Sequence, residues 1–278
     1  MSTLEPGPLS GHLRRSSFEA AQDHVLASAE DDPLGTARAA LLSRIGGETL
    51  VEVAVRRLGE AIGLGLLEVG ERLPPEAELA ERLGLATMTL REALAILRRA
   101  GYLETRRGRG GGTFVRRAVP PPTSAEARHR LERLTVDHLR DLCEFRVVIE
   151  GAAAARAAER AGDAEFAELR SLVRRMDRPR SYAEFRRADS RFHLLLASAA
   201  RSPHLAAAEA SIQSELRDLL ALIPHPAAAL RVSNGQHATI TEAIALRDAH
   251  LARSATERHV VGTGDFLIGL RLGKLGGR

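Results

Sequence analysis

The sequence predicts a mostly α-helical protein with an N-terminal winged helix-turn-helix, three helices plus a two-stranded wing, followed by an all-α antiparallel helical bundle. Three observations predict it. Aromatic residues make up 3% of the chain, Trp is absent and 44% of residues are hydrophobic, so cores of helices packed through Ala and Leu are expected. Between Pro75 and Val115 the pattern reads helix, tight turn, helix, strand, hairpin, strand. Beyond Leu131, long amphipathic stretches alternate with short breakers and no strand pattern appears.

A chain of 278 residues has room for two domains. Residues 1–45 open with Pro, Gly and Ser and mix charges, which suits a flexible extension, although Phe18 to Ala29 and Ala37 to Ile45 have the makings of short helices. The winged module is expected over 46–117. Apolar residues recur at helical spacing from Leu50 to Leu67, and Gly70 to Pro75 stops that helix. Leu79, Ala80 and Leu83 supply the apolar face of a second helix, Gly84 permits the turn, and Leu90, Ala93, Leu94 and Leu97 supply the face of a third. Gly101 to Thr105 then reads as a strand, Arg106 to Gly112 as a basic hairpin and Thr113-Phe114-Val115 as the returning strand.

Three prolines at 120–122 favour an extended linker over 118–130. The bundle follows over 131–262, with about six helices as its expected content. Helix starts are expected at Thr135, Asp163, Ser181 and Ser202, where Pro203 fills the first helical position, and Pro224 and Pro226 punctuate a later connection. Residues 263–278 are set apart as a glycine-rich C-terminal tail whose end is expected to be loose.

Charge points to a partner. The formal net charge is only +4 and Lys274 is the single lysine, yet residues 91–117 hold eight arginines against Glu92 and Glu104. Clustered arginine beside a helix-turn-helix is an electrostatic footprint for phosphates. A solvated helix face followed by an ordinary hairpin would carry the same charges, and the order of the elements favours double-stranded DNA. Cys143 stands alone, which excludes a disulfide framework or a cysteine zinc cluster within one chain and fits a reducing cytosol. No run approaches the roughly 18 to 20 apolar residues of a membrane span, and no apolar signal segment opens the chain. A cytoplasmic, nucleoid-associated protein with no membrane partner is expected.

A second chemistry lies in the bundle. Asp189 and His193 stand at i and i+4 of a helical stretch, where side chains differ by about 40° around the axis and address one point. His237 and His259 fall on two later helices. One carboxylate and three imidazoles converging from three helices would suit a divalent transition ion such as zinc, nickel or manganese. The chain has 10 histidines, and His12, His24, His129, His138, His204, His225 and His250 read as surface or satisfied core residues. The alternative for the four is that they merely satisfy one another in the bundle.

The stretch Gly70-Glu71-Arg72-Leu73-Pro74-Pro75-Glu76-Ala77-Glu78-Leu79-Ala80, then Leu90-Arg91-Glu92-Ala93-Leu94, and Gly108-Arg109-Gly110 before Thr113-Phe114-Val115, resembles the GntR family of transcription regulators over about Leu50 to Val115. In that family the helix with the Arg-Glu-Ala-Leu signature enters the major groove and the wing tip reaches the minor groove. By position, the resemblance implies Thr87, Thr89 and Arg91 as groove or phosphate contacts, with Arg107, Gly108 and Arg109 at the wing. Departures accompany the matches. Family members often have Ser at the position of Pro75, Arg at Ala77, Ser or Thr at Ala86 and Arg at Thr87, so two helix caps and two arginines are missing here. A bidentate arginine to guanine contributes on the order of 1 to 3 kcal/mol of discrimination, which predicts a different or looser operator. A capping box between Thr89 and Glu92 would partly restore capping if the third helix starts that late.

From Leu134 to His259 the chain resembles the FCD ligand-binding domain of the FadR subfamily, through Leu142-Cys143-Glu144-Phe145-Arg146-Val147-Val148-Ile149-Glu150, Asp189 to His193, His237 and His259. The resemblance implies a metal held by Asp189, His193, His237 and His259, and a small carboxylate effector held on that metal. Arg146 would add a bidentate clamp if it points inward; the equal alternative is an ion pair with Glu150 at i+4. Cys143 is expected to pack as a small hydrophobe. The reading is a homodimer on a pseudopalindromic operator, a repressor relieved by ligand and not an enzyme. Its rivals are a metal-dependent hydrolase, which would need a general base where only Glu257 stands near, and a constitutive architectural DNA binder.

Overall fold

The computed structural model describes residues 36, 48–118, 129, 132–220 and 227–276. The expectations for the N-terminal extension and for the proline linker fall almost wholly outside these residues, as does the connection at Pro224 and Pro226. The chain divides into two compact units, one comprising 48–59 and 69–117 of the described residues, the other 60–68 and the described residues from 118 onward.

α1 (Leu50–Gly63), which belongs to the first unit up to residue 59, buries Ala54, Leu58 and Ile62 at helical spacing. Its start is fixed by a capping box: the Thr49 amide donates to Glu52 Oε2 at 2.8 Å and the Glu52 amide to Thr49 Oγ1 at 3.2 Å. α2 (Glu76–Leu83) ends at Gly84, whose φ of 65° is left-handed and lets the chain turn back sharply. α3 (Thr87–Arg99) buries Leu90, Ala93, Leu94 and Leu97, as expected of the third helix. Neither Pro75 nor Ala86, the N-caps of α2 and α3, provides a side-chain hydrogen bond. The expected Thr89 and Glu92 box does not form, because α3 starts at Thr87 and both residues already lie inside the helix. β1 (Leu103–Arg106) and β2 (Gly112–Val115) pair antiparallel with Leu103 opposite Val115 and Arg106 opposite Gly112. The segment before α2 adds to this wing: the Gly70 amide donates to Val115 O and the Leu73 amide to Thr113 O, each at 2.8 Å.

The second unit contains α4 (Val136–Arg160), α5 (Asp163–Asp177), α6 (Tyr182–Ala199), α7 (Pro203–Leu220), α8 (Ala227–Ala245) and α9 (Ala249–Gly276). Thr135 and Ser181 cap α4 and α6 by accepting the His138 and Glu184 amides. Gly162 precedes α5 and its amide donates to Glu165 Oε2 at 2.9 Å. Connections of a few residues set consecutive helices antiparallel. The core follows from composition: Ala153, Ala154, Ala157 and Ala158 of α4 are fully buried, so helices approach closely, and Phe185, Phe192, Leu169, Leu172, Ile240 and Ile244 fill the remaining space. No described helix is long and apolar enough to cross a membrane.

The segment set apart as a tail from residue 263 continues the last helix through Gly276, and its final residues, 277–278, lie outside the described residues. Glycine lowers helix propensity, but Leu267 packs with Leu139, Leu142, Ile212 and Leu216, and that burial outweighs it. Gly264 also has a packing reason, since a Cβ there would fall inside the radius of Cys143 Sγ on α4. Gly264→Ala should therefore destabilise the protein by about 1–3 kcal/mol, as overpacking typically does. Cys143→Ala in the same chain should restore most of it. Urea unfolding of the unsubstituted protein and of the two variants measures both; a neutral Gly264→Ala would contradict this helix contact.

Candidate functional site

In the first unit, the residues expected to meet DNA occupy two exposed edges. Thr87, Thr89 and Arg91 lie in the first turns of α3, the threonines half-buried and Arg91 exposed. Arg91 Nε donates to Glu76 Oε2 on α2 at 2.7 Å, so the guanidinium is steadied while most of it stays in solvent. Arg107, Gly108 and Arg109 are exposed at the hairpin tip between β1 and β2. Gly108, with φ 92°, accepts the Gly111 amide at 2.8 Å through its carbonyl and closes the turn. Arg106 stacks 4.3 Å above the Phe114 ring and Arg117 lies 5.0 Å above Tyr102, so part of the arginine cluster rests on the wing itself.

In the second unit, Asp189 and His193 project from α6, His237 from α8 and His259 from α9, and none is more than 5% exposed. One possible ligand atom from each lies within 4.8 Å of all the others. The His237 and His259 ring centroids are 4.4 Å apart, and those of His193 and His259 are 5.2 Å apart. Neither nitrogen of His237 has a hydrogen-bond partner, although Nε2 stands 3.4 Å from Asp189 Oδ1.

The surrounding groups orient these four. His259 Nδ1 donates to Gln236 Oε1 at 2.9 Å, which leaves its Nε2 as a lone-pair donor. His193 Nδ1 lies 2.9 Å from Glu150 Oε2, close but off the line of a well-formed hydrogen bond. Glu150 in turn accepts Arg146 Nε at 2.7 Å, with both side chains almost wholly buried. Both readings of Arg146 therefore meet in one residue: it points inward, and it is paired with Glu150. Arg186 Nη1 donates to Asp189 Oδ2 at 2.6 Å.

Electrostatics sets the protonation states. Burial opposes ionisation of Asp189, but Arg186 and the nearby histidines outweigh it and hold the carboxyl well below the usual carboxylate range. Burial pushes His237 down to about 4 against the pull of Asp189, and burial with the neighbouring imidazoles takes His259 well below the ordinary value. Burial also opposes protonation of His193, yet the Glu150 carboxylate wins and raises it. Glu150 is lowered to about 2, since Arg146 and His193 overcome its desolvation. At neutral pH the centre thus offers an anionic carboxylate and two neutral imidazoles, beside a third, His193, that Glu150 draws toward its protonated form.

Buried Glu209 and Gln213 and half-buried Arg186 and Gln236 border the same polar region and escape sequence reading. For Arg186 the available signal is Arg-x-x-Asp on one helical face; for Glu209 and Gln213 it is a Glu-x-x-x-Gln pair in an otherwise apolar helix face. The other histidines behave as expected where described: His138 bonds Glu215 at 2.8 Å, and His204 and His250 are exposed. Cys143 is half-buried.

Comparison with known proteins aligns both units. The model for "Bacterial regulatory proteins, gntR family" matches residues 50–115, and the model for the FCD domain matches 141–262. RmpR of Mycobacterium gastri, an HTH-type transcriptional regulator by name, is 39% identical over 75% of this chain and 77% of its own. An Escherichia coli K12 protein named for regulation of the L-lactate dehydrogenase operon is 34% identical over 70% of this chain and 77% of its own. The Glc operon transcriptional activator of the same strain is 28% identical over 76% and 86%.

Proposed function

Because the chain belongs to the gntR family of bacterial regulatory proteins and carries an FCD domain, we propose that it is a transcription regulator whose FCD domain holds a divalent metal and a small carboxylate effector that alters operator affinity. DNA binding and a regulatory rather than enzymatic role come with the family, which sets aside the hydrolase reading. The observation that carries the metal is the orphaned pair of nitrogens on His237, inside a group of four buried ligand-type side chains within 4.8 Å. Leaving a buried polar group unpaired costs about 1–3 kcal/mol, and a cation removes that penalty. The donor set fits: Asp189, His193, His237 and His259 would hold zinc, nickel or manganese, and the bound ion would supply positive charge for a carboxylate. Arg146 has one nitrogen engaged by Glu150, so any share it takes in the effector falls to its other N–H groups.

On the DNA side, Thr87, Thr89 and Arg91 would meet the major groove and Arg107, Gly108 and Arg109 the minor groove. A homodimer on a pseudopalindromic operator suits this module. It is supported by apolar side chains left exposed on two helices that pack together, Phe145 and Val148 on α4 and Val261 and Phe266 on α9. Ligand binding would shift the population of winged-domain arrangements that match the half-site spacing, and repression relieved by ligand is the sign proposed.

Arg91→Ala tests the groove assignment on DNA upstream of the protein's own gene. Affinity should fall by about 1–3 kcal/mol if Arg91 reads a base, or the salt slope should fall by about one unit if it contacts a phosphate. Light scattering should report an unchanged dimer. Unchanged affinity and slope across a salt series would remove Arg91 from the interface.

A further inference from the structure

Met88 is the most exposed large apolar side chain among the described residues, 72% open to solvent, and it stands in the first turn of α3. Leu90, Ala93, Leu94 and Leu97 of the same helix are buried, so Met88 adds little to the core of the winged unit. Its apolar surface keeps a hydration cost that folding leaves in place. The neighbours of Met88 indicate what could cover it. Thr87 and Thr89 on either side are half-buried, and the exposed side chains from Thr87 to Glu92 are Met88, Arg91 and Glu92. Arg91, three residues on, lies beside Met88 on the helix surface, and its Nε is held by Glu76 at 2.7 Å. One methionine between an arginine and a glutamate is far too small for a protein interface, which buries some 20 to 30 residues a side. It matches the size of a single apolar group on a base.

We propose that Met88 is a specificity-determining residue that packs against the C5-methyl of a thymine in the operator. The inference rests on the placement of α3 in the major groove proposed above and names a base that the helix reads. Groove chemistry selects the thymine. The hydrogen-bonding groups of the base edges there are N7, O6, N6, O4 and N4, and the one methyl among them belongs to thymine. A thioether side chain satisfies none of the donors or acceptors, but its unbranched, polarizable chain adapts to a methyl. Arg91, steadied by Glu76, supplies charge next to this contact, and Met88 supplies shape.

Selection of sites from random duplex DNA by the full-length protein, followed by anisotropy titrations of the selected site, tests this. The site should hold at least one thymine at which deoxyuridine, which removes only the C5-methyl, weakens binding about fourfold, the contribution of one buried methyl group. Met88→Ala should bind the thymine and deoxyuridine forms equally at that position, with an unchanged salt slope, because an apolar contact releases no counterions. Met88→Leu, which keeps an apolar side chain of similar volume, should retain most of the preference. Arg91→Ala should weaken both forms alike. Indifference of the unsubstituted protein to deoxyuridine at every thymine of the site, or a methyl preference that survives intact in Met88→Ala, would overturn the assignment. In either case the groove placement of α3 still stands if Arg91→Ala weakens binding. A selection that enriches no sequence would overturn base reading by α3, and the role of Met88 with it. Replacing so exposed a side chain removes no core contact, so circular dichroism of both Met88 variants should match that of the unsubstituted chain.

Discussion

His237→Ala is expected to yield purified protein with about a tenth or less of the metal carried by the unsubstituted chain, which should hold about one divalent ion when supplied with zinc, nickel or manganese. His237 is the sharpest test because it is fully buried, both ring nitrogens lack partners, and its depressed pKa of about 4 keeps it neutral and ready to coordinate. Phe192 packs 4.7 Å from its ring, so an alanine should leave a collapsed apolar space without exposing the core. Because an ion bound only to the folded state raises apparent stability, a chelator should lower the melting temperature of the unsubstituted protein and leave that of His237→Ala nearly unmoved. Elemental analysis and thermal melts read the two effects. Metal retained at full stoichiometry by His237→Ala would refute the four-residue centre.

Glu150→Leu should be the most destabilising single change in the bundle, by about 3–5 kcal/mol, since it strands a buried guanidinium. Arg146 and Glu150 are 3% and 2% exposed as side chains and bond at 2.7 Å, so neither charge can reach solvent without moving a helix. The double replacement Arg146→Met with Glu150→Leu should recover most of the loss, because removing both charges removes the stranded one. Urea unfolding of the two variants measures this; equal destabilisation in both would mean that the pair contributes through packing alone. The milder Glu150→Gln should weaken metal binding by roughly 10- to 100-fold, the usual effect of losing a group that orients a ligating imidazole.

Much of this architecture is legible because it is written in local pattern. Leu90, Ala93, Leu94 and Leu97 announce the face of α3, and Thr135 and Ser181 mark helix starts by their own hydroxyls. Asp189 and His193 are one turn apart on one helix, so their shared direction is also local. The approach of His237 and His259 depends on how α8 and α9 pack, and the histidines themselves carry no sign of it. The capping box lies at Thr49 and Glu52 rather than at Thr89 and Glu92, although both pairs have the same spacing; only the place where the helix begins separates them. The glycine-rich end of α9 misleads because its apolar neighbours outweigh propensity once they find α4 and α7. Arg146 shows a further limit: sequence offers inward clamp and i+4 ion pair as alternatives, whereas a buried pair is both.

A metal-held organic acid in the FCD domain is proposed to set the affinity of the winged module for its operator. Fluorescence anisotropy of labelled DNA from upstream of the protein's own gene, titrated with metal-loaded and with chelated protein, each with and without a panel of small carboxylic acids, tests this most directly. At least one acid should shift operator affinity severalfold with metal-loaded protein and have no effect once the metal is removed. Operator affinity that is the same under all of these conditions would contradict it and leave a constitutive DNA binder.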